Sequence, residues 1–318
     1  VTGAGGFIGA RVVEILASEA LVTVRAIGHN YAGLVRAGQF DEDRVELTIA
    51  DVREETAVLA AIEGCDVLVH CAYGSNGSPE DRWGVTVDGT EAALRAARTA
   101  GVGRFVFVGT VATYNSSAPR IAQSTEQIAV RSHDRSYAQA KLRARTIALQ
   151  ASDALDIVVV EPAVVYGPWG GDWSRGAIER LLNGDGAALP FGRGGGVCNA
   201  VHIDDVARAL ASVSLQTSVS TGRCYPISGP QLVTWGEYYD ALRRITGAAN
   251  VDPTWDGSQL AEWERELYES TAVVDSSSAR ADFDYDPVVH LDDGCRRLEE
   301  WAIWAGLLPG RSRSDGRV

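Results

Sequence analysis

Two periodicities alternate along the first half of the chain. Ile8, Val12, Val13, Ile15 and Leu16 recur at helical spacing and predict an amphipathic helix. Leu21–Ile27 (LVTVRAI) then reads as a strand, and Arg44–Ala50 as a further one. A helix is predicted over about Glu54–Glu63. Asp66–Cys71 (DVLVHC) is a largely apolar run of the kind a buried parallel strand shows. The series continues with a helix over Asp88–Ala100, a strand at Arg104–Gly109, a helix over Ser136–Ala151 and a strand at Asp156–Val160. Strand and helix in such alternation predict an α/β fold, a doubly wound parallel sheet with helices on both faces.

After Pro162 the pattern changes. Gly, Trp and Pro crowd into Tyr166–Trp173 and Phe191–Gly196, and seven of the eight tryptophans lie beyond position 160. This predicts a second, smaller region whose loops face the sheet, with most of its tryptophans in a core. Val201–Leu210 reads as a strand passing into a helix capped by Asp204 or Asp205. The polar residues 309–318 read as a flexible tail.

The turn ahead of the first helix, Thr2–Gly9 (TGAGGFIG), spaces Gly3, Gly6 and Gly9 three apart. Followed by a helix and a strand, it is a dinucleotide-binding fingerprint of a Rossmann-type sheet. Gly3 permits the tight turn, Gly6 lets the backbone approach a pyrophosphate, and Gly9 allows close helix packing. The helix N-terminus turns unsatisfied N–H groups toward the anion. Only Val1 precedes Thr2, so further strand residues are expected ahead of it. The expected division is residues 1–165, with return segments near 198–228, for an NAD(P)-binding domain. Residues 166–197 and 229–308 then form a smaller C-terminal α/β substrate-binding region.

Tyr137 and Lys141 stand four apart on a predicted helix and share a face. A phenol ionises near about 10, too high for a base at neutral pH. A neighbouring ammonium and an oxidised nicotinamide both favour the phenolate. Tyr137 then exchanges a proton with a carbinol or carbonyl oxygen while hydride moves at the same carbon. Thr110 follows the strand RFVFVG, at the edge where open parallel sheets bind ligands, and is expected to hold the substrate oxygen.

Composition narrows the partners. A net charge of −13 disfavours nucleic acid and anionic membranes, leaving a small-molecule substrate. Five cysteines without Cys-x-x-Cys spacing read as reduced thiols, which fits a cytoplasmic protein. The scattered histidines predict no metal site. No apolar run is long enough to span a bilayer.

TGAGGFIG, Asp51-Val52, DVLVHCAY, the DGT at Asp88–Thr90, GVGRFVFVGT, YAQAK, EPAVVYGP and VHIDDVA occur in that order. As a set the chain resembles the extended short-chain dehydrogenase/reductases, which include the NAD(P)-dependent epimerase/dehydratases. The resemblance implies that Gly3, Gly6, Phe7, Ile8 and Gly9 line the pyrophosphate. It implies that Asp51 and Val52 contact the adenine, with Cys71, Ala72 and Tyr73 beside the nicotinamide ribose. Thr110, Tyr137 and Lys141 match the catalytic set, and Pro162 begins the segment covering the nicotinamide. Tyr73, Thr110, Thr113, Val164 and Arg193 fall at the expected substrate positions. A homodimer through the two helices near Asp88–Ala100 and Ser136–Ala151 is implied as well.

Departures from the family pattern matter. Val111 and Ala112 stand where 4,6-dehydratases carry an acidic pair, so that water-loss chemistry is not expected. Glu161 and Val164 replace the arginine and asparagine of nucleotide-sugar epimerases. Cys198-Asn199-Ala200 occupies the place of a diphosphate-binding arginine. Two outcomes stay open: net hydride transfer at a secondary alcohol or ketone, or sugar epimerisation with transient oxidation. A non-catalytic dinucleotide sensor is the rival from another class. The place where an acid would bind the NAD 2′-hydroxyl reads Ile27-Gly28-His29-Asn30, with Arg25 and Arg36 near in sequence. His29 is expected at that ribose, with a slight lean to NADP(H).

Overall fold

The computed structural model describes residues 1–114, 120–121, 137–184, 195–216, 218–219, 221–248 and 260–310. Its main sheet holds β1 (Val24–Gly28), β2 (Val45–Ile49), β3 (Val67–His70), β4 (Arg104–Val108), β6 (Asp156–Pro162) and β9 (Arg223–Ile227). β1 pairs with β2, and β3, β4, β6 and β9 pair in that order, all in parallel. Thr2 joins the two sets through parallel bridges to Ile27 and His70. The chain therefore enters the sheet at its centre, and the glycine turn leaves from the point where strand order reverses.

Both faces of the sheet are covered. On one, Val106, Val108, Val158 and Val160 pack with α1 (Phe7–Ser18) and α7 (Ile203–Leu215). On the other, Phe105, Phe107, Ile157 and Val159 meet α2 (Glu55–Ile62), α4 (Gly89–Ala100) and α5 (Tyr137–Gln150). Every residue of β4 is buried, which is why its sequence lacks the polar alternation of a one-sided strand. The predicted elements fall within a few residues of those observed. α3 (Pro79–Trp83) and a wide helical turn at Gly84–Asp88 precede α4 and went unforeseen. Gly101, at φ 70°, stops α4.

A second core gathers Tyr166, Ile178, Leu181, Trp235, Tyr238, Leu242, Leu298 and Ala302. Its elements are β7 (Val164–Tyr166), paired in parallel with β8 (Ala200–His202), α6 (Ala177–Leu182), α8 (Trp235–Thr246), α9 (Glu262–Glu269) and α11 (Leu291–Trp304). α10 (Ser277–Phe283) differs from the expected division. Its Ala279 and Phe283, with Tyr285, pack into the first core. A short parallel pair, β5 (Arg120–Ile121) with β10 (Val273–Val274), ties the second region to the segment after β4.

Neither Asp204 nor Asp205 caps α7. His202 does, its Nδ1 accepting from the Asp204 N–H at 3.2 Å. Asp204 instead accepts from Arg11 Nε at 2.7 Å and from Arg297, joining α1, α7 and α11. Asp205 accepts from the N–H groups of Val288 and Val289, at 3.0 and 3.1 Å. Long-range clamping outcompetes local capping here because both carboxylates are buried, and a buried carboxylate needs charged or N–H partners. Among the described residues no helix is long and apolar enough to cross a membrane, and no His/Cys/Asp/Glu group could hold a metal. All five cysteines are free thiols.

Candidate active site

The glycine turn has little room for side chains. Gly3 sits at φ 66°, and a Cβ there would lie 2.7 Å from the Ala72 nitrogen. A Cβ on Gly9 would collide with the Gly3 carbonyl. Gly5, which the three-residue spacing passes over, is as constrained: its Cβ would lie 2.5 Å from the Gly33 carbonyl oxygen in the loop after β1. α1 starts at Gly6 with no side-chain cap and no acid in its first turn. Its leading N–H groups are thus left for an anion, and the cradle fits a dinucleotide pyrophosphate.

Around this turn, Ala72 is buried, Cys71 is half-buried, and Tyr73 keeps 45% exposure. Burial pushes the Cys71 thiol up to about 12, so it is no nucleophile. Asp51 accepts from the Arg53 side chain (Nε at 3.0 Å), and that bond holds its carboxyl below the usual range. Val52 packs against Gly89 at the start of α4, and His29 is exposed. Beneath them, His70 lies fully buried between Thr2 Oγ1 (2.9 Å) and Thr90 Oγ1 (3.2 Å). Thr90 donates to the Thr86 carbonyl, so His70 Nε2 donates to Thr90 and Nδ1 accepts from Thr2. This neutral ring ties the first strand to β3 and α4.

Tyr137 and Lys141 stand at the first two turns of α5 on one face. Tyr137 hydrogen-bonds the Thr110 side chain, and its ring meets Tyr73 edge-on at 5.9 Å. The residue keeps 52% exposure while its hydroxyl is sunk among protein atoms. That burial pushes the phenol up to about 12; the bond to Thr110 pulls down, and Tyr73 and Asp172 push up. Lys141 Nζ donates to the Val108 carbonyl at 2.9 Å and lies 5.3 Å from the centre of the Tyr73 ring. Burial brings Lys141 down to about 8. Its ammonium does not figure among the groups acting on the Tyr137 phenol. Lys141 is also the chain's single lysine, a signal the motif reading passed over. An ammonium, unlike a guanidinium, titrates within reach of neutrality when buried.

Other expected substrate positions fare differently. Thr113 is fully buried, and its Oγ1 donates to the Thr110 carbonyl at 3.0 Å. It therefore holds Thr110 in place, with its own side chain closed off from solvent. Val164 packs into the second core, and Pro162, buried at the end of β6, runs beside Ile227. Asn199 spends its amide on Ala272 O and Val274 N, pinning β10, and Cys198 lies in the core. Arg193 and Ser136 lie outside the described residues. Asp172, missed in the sequence, lies near enough to push up the phenols of both Tyr73 and Tyr137. The tryptophans depart from the expected core placement: of those described beyond position 160 only Trp235 is fully buried, Trp173 and Trp301 pack partly buried against the second core, and Trp169, Trp263 and Trp304 are exposed.

The expected lean toward NADP finds no support in this geometry. All four arginines between residues 25 and 53 are engaged. Arg25 binds Glu46 and the Glu63 carbonyl, and Arg36 binds Glu14 through Nε and Nη2 at 2.9 and 2.6 Å. Arg44 caps the end of α1 at Ala17, and Arg53 pairs with Asp51.

The NAD dependent epimerase/dehydratase family model matches residues 1–227. The chain belongs to this family. It is 26% identical to the 2-alkyl-3-oxoalkanoate reductase of Stenotrophomonas maltophilia, over 94% of this chain and 97% of that protein. It is also 26% identical to an uncharacterized protein of Mycobacterium tuberculosis, of whose length it spans only 28%. The UDP-glucuronic acid 4-epimerase of Bacillus cereus in complex with NAD shares the fold. Its TM-score is 0.77 at 18% identity, covering 96% of this chain and 98% of that one.

Proposed function

We propose that this protein is an NAD-dependent oxidoreductase that moves hydride at a secondary alcohol or ketone carbon of a small molecule. The observation that carries the reading is the Tyr137 hydroxyl hydrogen-bonded to Thr110, with Lys141 one turn away, beside the glycine cradle. When bound, NAD supplies or accepts the hydride. Gly3, Gly6, Phe7, Ile8 and Gly9 hold the pyrophosphate, Asp51, Val52 and His29 flank the adenosine, and Cys71, Ala72, Tyr73 and Pro162 flank the nicotinamide end. Thr110 holds the substrate oxygen. Tyr137, protonated at neutral pH, gives that oxygen its proton in reduction and takes it back in oxidation. Lys141 would orient the ribose, and the positive charge that eases Tyr137 ionisation would come with the oxidised nicotinamide.

Net reduction is favoured over nucleotide-sugar epimerisation by the residues themselves: Val164 and Cys198-Asn199-Ala200 stand where those epimerases carry an asparagine and a diphosphate-binding arginine. The 26% identity to a 2-alkyl-3-oxoalkanoate reductase supports the same reading. A cytoplasmic homodimer through α4 and α5 belongs to this reading. The test is Tyr137→Phe, assayed for NADH oxidation against a panel of ketones that the wild-type protein reduces. Turnover falls about 10²–10⁴-fold while the Kd for NAD stays within about twofold. Wild-type turnover in Tyr137→Phe overturns the proposal.

A further inference from the structure

Next to Thr110, five polar side chains are buried together. Glu161, near the end of β6, is fully buried, and its Oε2 accepts from the Tyr114 hydroxyl. Its Oε1 lies 3.3 Å from Arg145 Nε, an ion pair with side chains 5% and 0% exposed. Arg145, four residues and so about one turn beyond Lys141 on α5, is itself shared among several partners. Its Nη1 reaches Thr113 Oγ1 at 3.5 Å and its Nη2 the Tyr114 hydroxyl at 3.4 Å. Nε also lies 3.2 Å from Cys224 Sγ, and the guanidinium sits 5.0 Å from the centre of the Tyr114 ring. Gly109 leaves the space this cluster needs, since a Cβ there would lie 2.8 Å from Glu161 Cγ.

A buried pair of this kind is expensive to desolvate, so it adds little to stability compared with apolar residues of the same volume. What it adds is geometry. The cluster touches three elements that carry the site: the turn at Thr110–Tyr114, helix α5 with Tyr137 and Lys141, and strand β6 leading to Pro162. Its last link is Thr113, which faces Arg145 with Oγ1 and donates from that same atom to the Thr110 carbonyl. Thr110 in turn bonds the Tyr137 hydroxyl.

We propose that Arg145, Glu161 and Tyr114 form a positioning cluster that fixes Thr110, and through it the hydroxyl of Tyr137, against α5. This rests on the reading of Tyr137 as the acid/base. The cluster reaches the site through Thr113 and Thr110 and sets the hydrogen bond to the Tyr137 hydroxyl.

The experiment is an alkaline titration of tyrosinate absorbance in the presence of NAD, in Glu161→Gln, Arg145→Lys and Tyr114→Phe. Each is run with and without Tyr137→Phe, so that the difference isolates Tyr137. The cluster predicts that Tyr137 ionises higher in Glu161→Gln and Tyr114→Phe, by about half a pH unit or more, as expected for one weakened hydrogen bond. Arg145→Lys, which keeps the charge but loses the fork, shows the same direction. Tyr114→Phe removes only a hydroxyl and is decisive if the charge variants do not fold. An unmoved Tyr137 titration in folded Tyr114→Phe overturns the positioning role. If Tyr137→Phe leaves turnover intact, it is the acid/base reading that fails, a separate result.

Discussion

At the scale of single residues, the site is built from groups whose neighbours decide their state. Tyr137 is a phenol kept protonated by burial, and Lys141 is an ammonium brought close to neutrality by it. His70 shows the same force with a stability consequence. Burial, helped by Lys141, pushes it down to about 3. The unfolded chain takes a proton on this ring below about 6.5, while the fold does not until far lower. The contribution is therefore fully present above about pH 6.5 and is lost as pH falls toward 3, at about 1.4 kcal/mol per pH unit. In His70→Gln the fall in Tm between pH 7 and pH 5 should be shallower than in the wild type; parallel slopes would count against a buried neutral ring. Arg36 gives the second residue-scale prediction. With its guanidinium held by Glu14, the protein should bind NAD more tightly than NADP, and Glu14→Gln should narrow that ratio several-fold. Equal affinities for both dinucleotides in the wild type would contradict it.

At the scale of elements, the chain is legible where one period dominates. β4 and β6 read directly because both faces are buried, and α1 because its apolar stripe lies against the sheet. The glycine turn is legible because each constraint is local: Gly3 needs its positive φ and Gly9 needs space over Gly3. Gly3→Ala should cost about 1–3 kcal/mol from backbone strain alone and weaken NAD binding sharply, as read by thermal shift with and without NAD. An unchanged response to NAD would remove the turn from the cofactor site. What the sequence hid is non-local. The partners of Asp204 and Asp205 lie on α1, on α11 and in the residues just before α11, far along the chain, so local reasoning assigned them a cap. Thr113 looked like a substrate contact because position along the chain says nothing of which way a side chain points. Gly5 escaped because the neighbour that excludes a side chain, Gly33, arrives from another loop.

At the scale of the whole molecule, the sheet brings the glycine turn, the end of β4 and the start of α5 to one edge, where strand order reverses. The helical turn at Gly171–Gly176 contributes Asp172, whose charge pushes up the phenols of Tyr73 and Tyr137. The central claim is that Tyr137 is a proton donor and acceptor tuned by the cofactor site. It is tested most directly by titrating tyrosinate absorbance with and without NAD in the wild type and in Tyr137→Phe. The account predicts that NAD brings one tyrosine, missing in Tyr137→Phe, down from about 12 toward neutrality. Superimposable titration curves for the two proteins, with and without NAD, would contradict it.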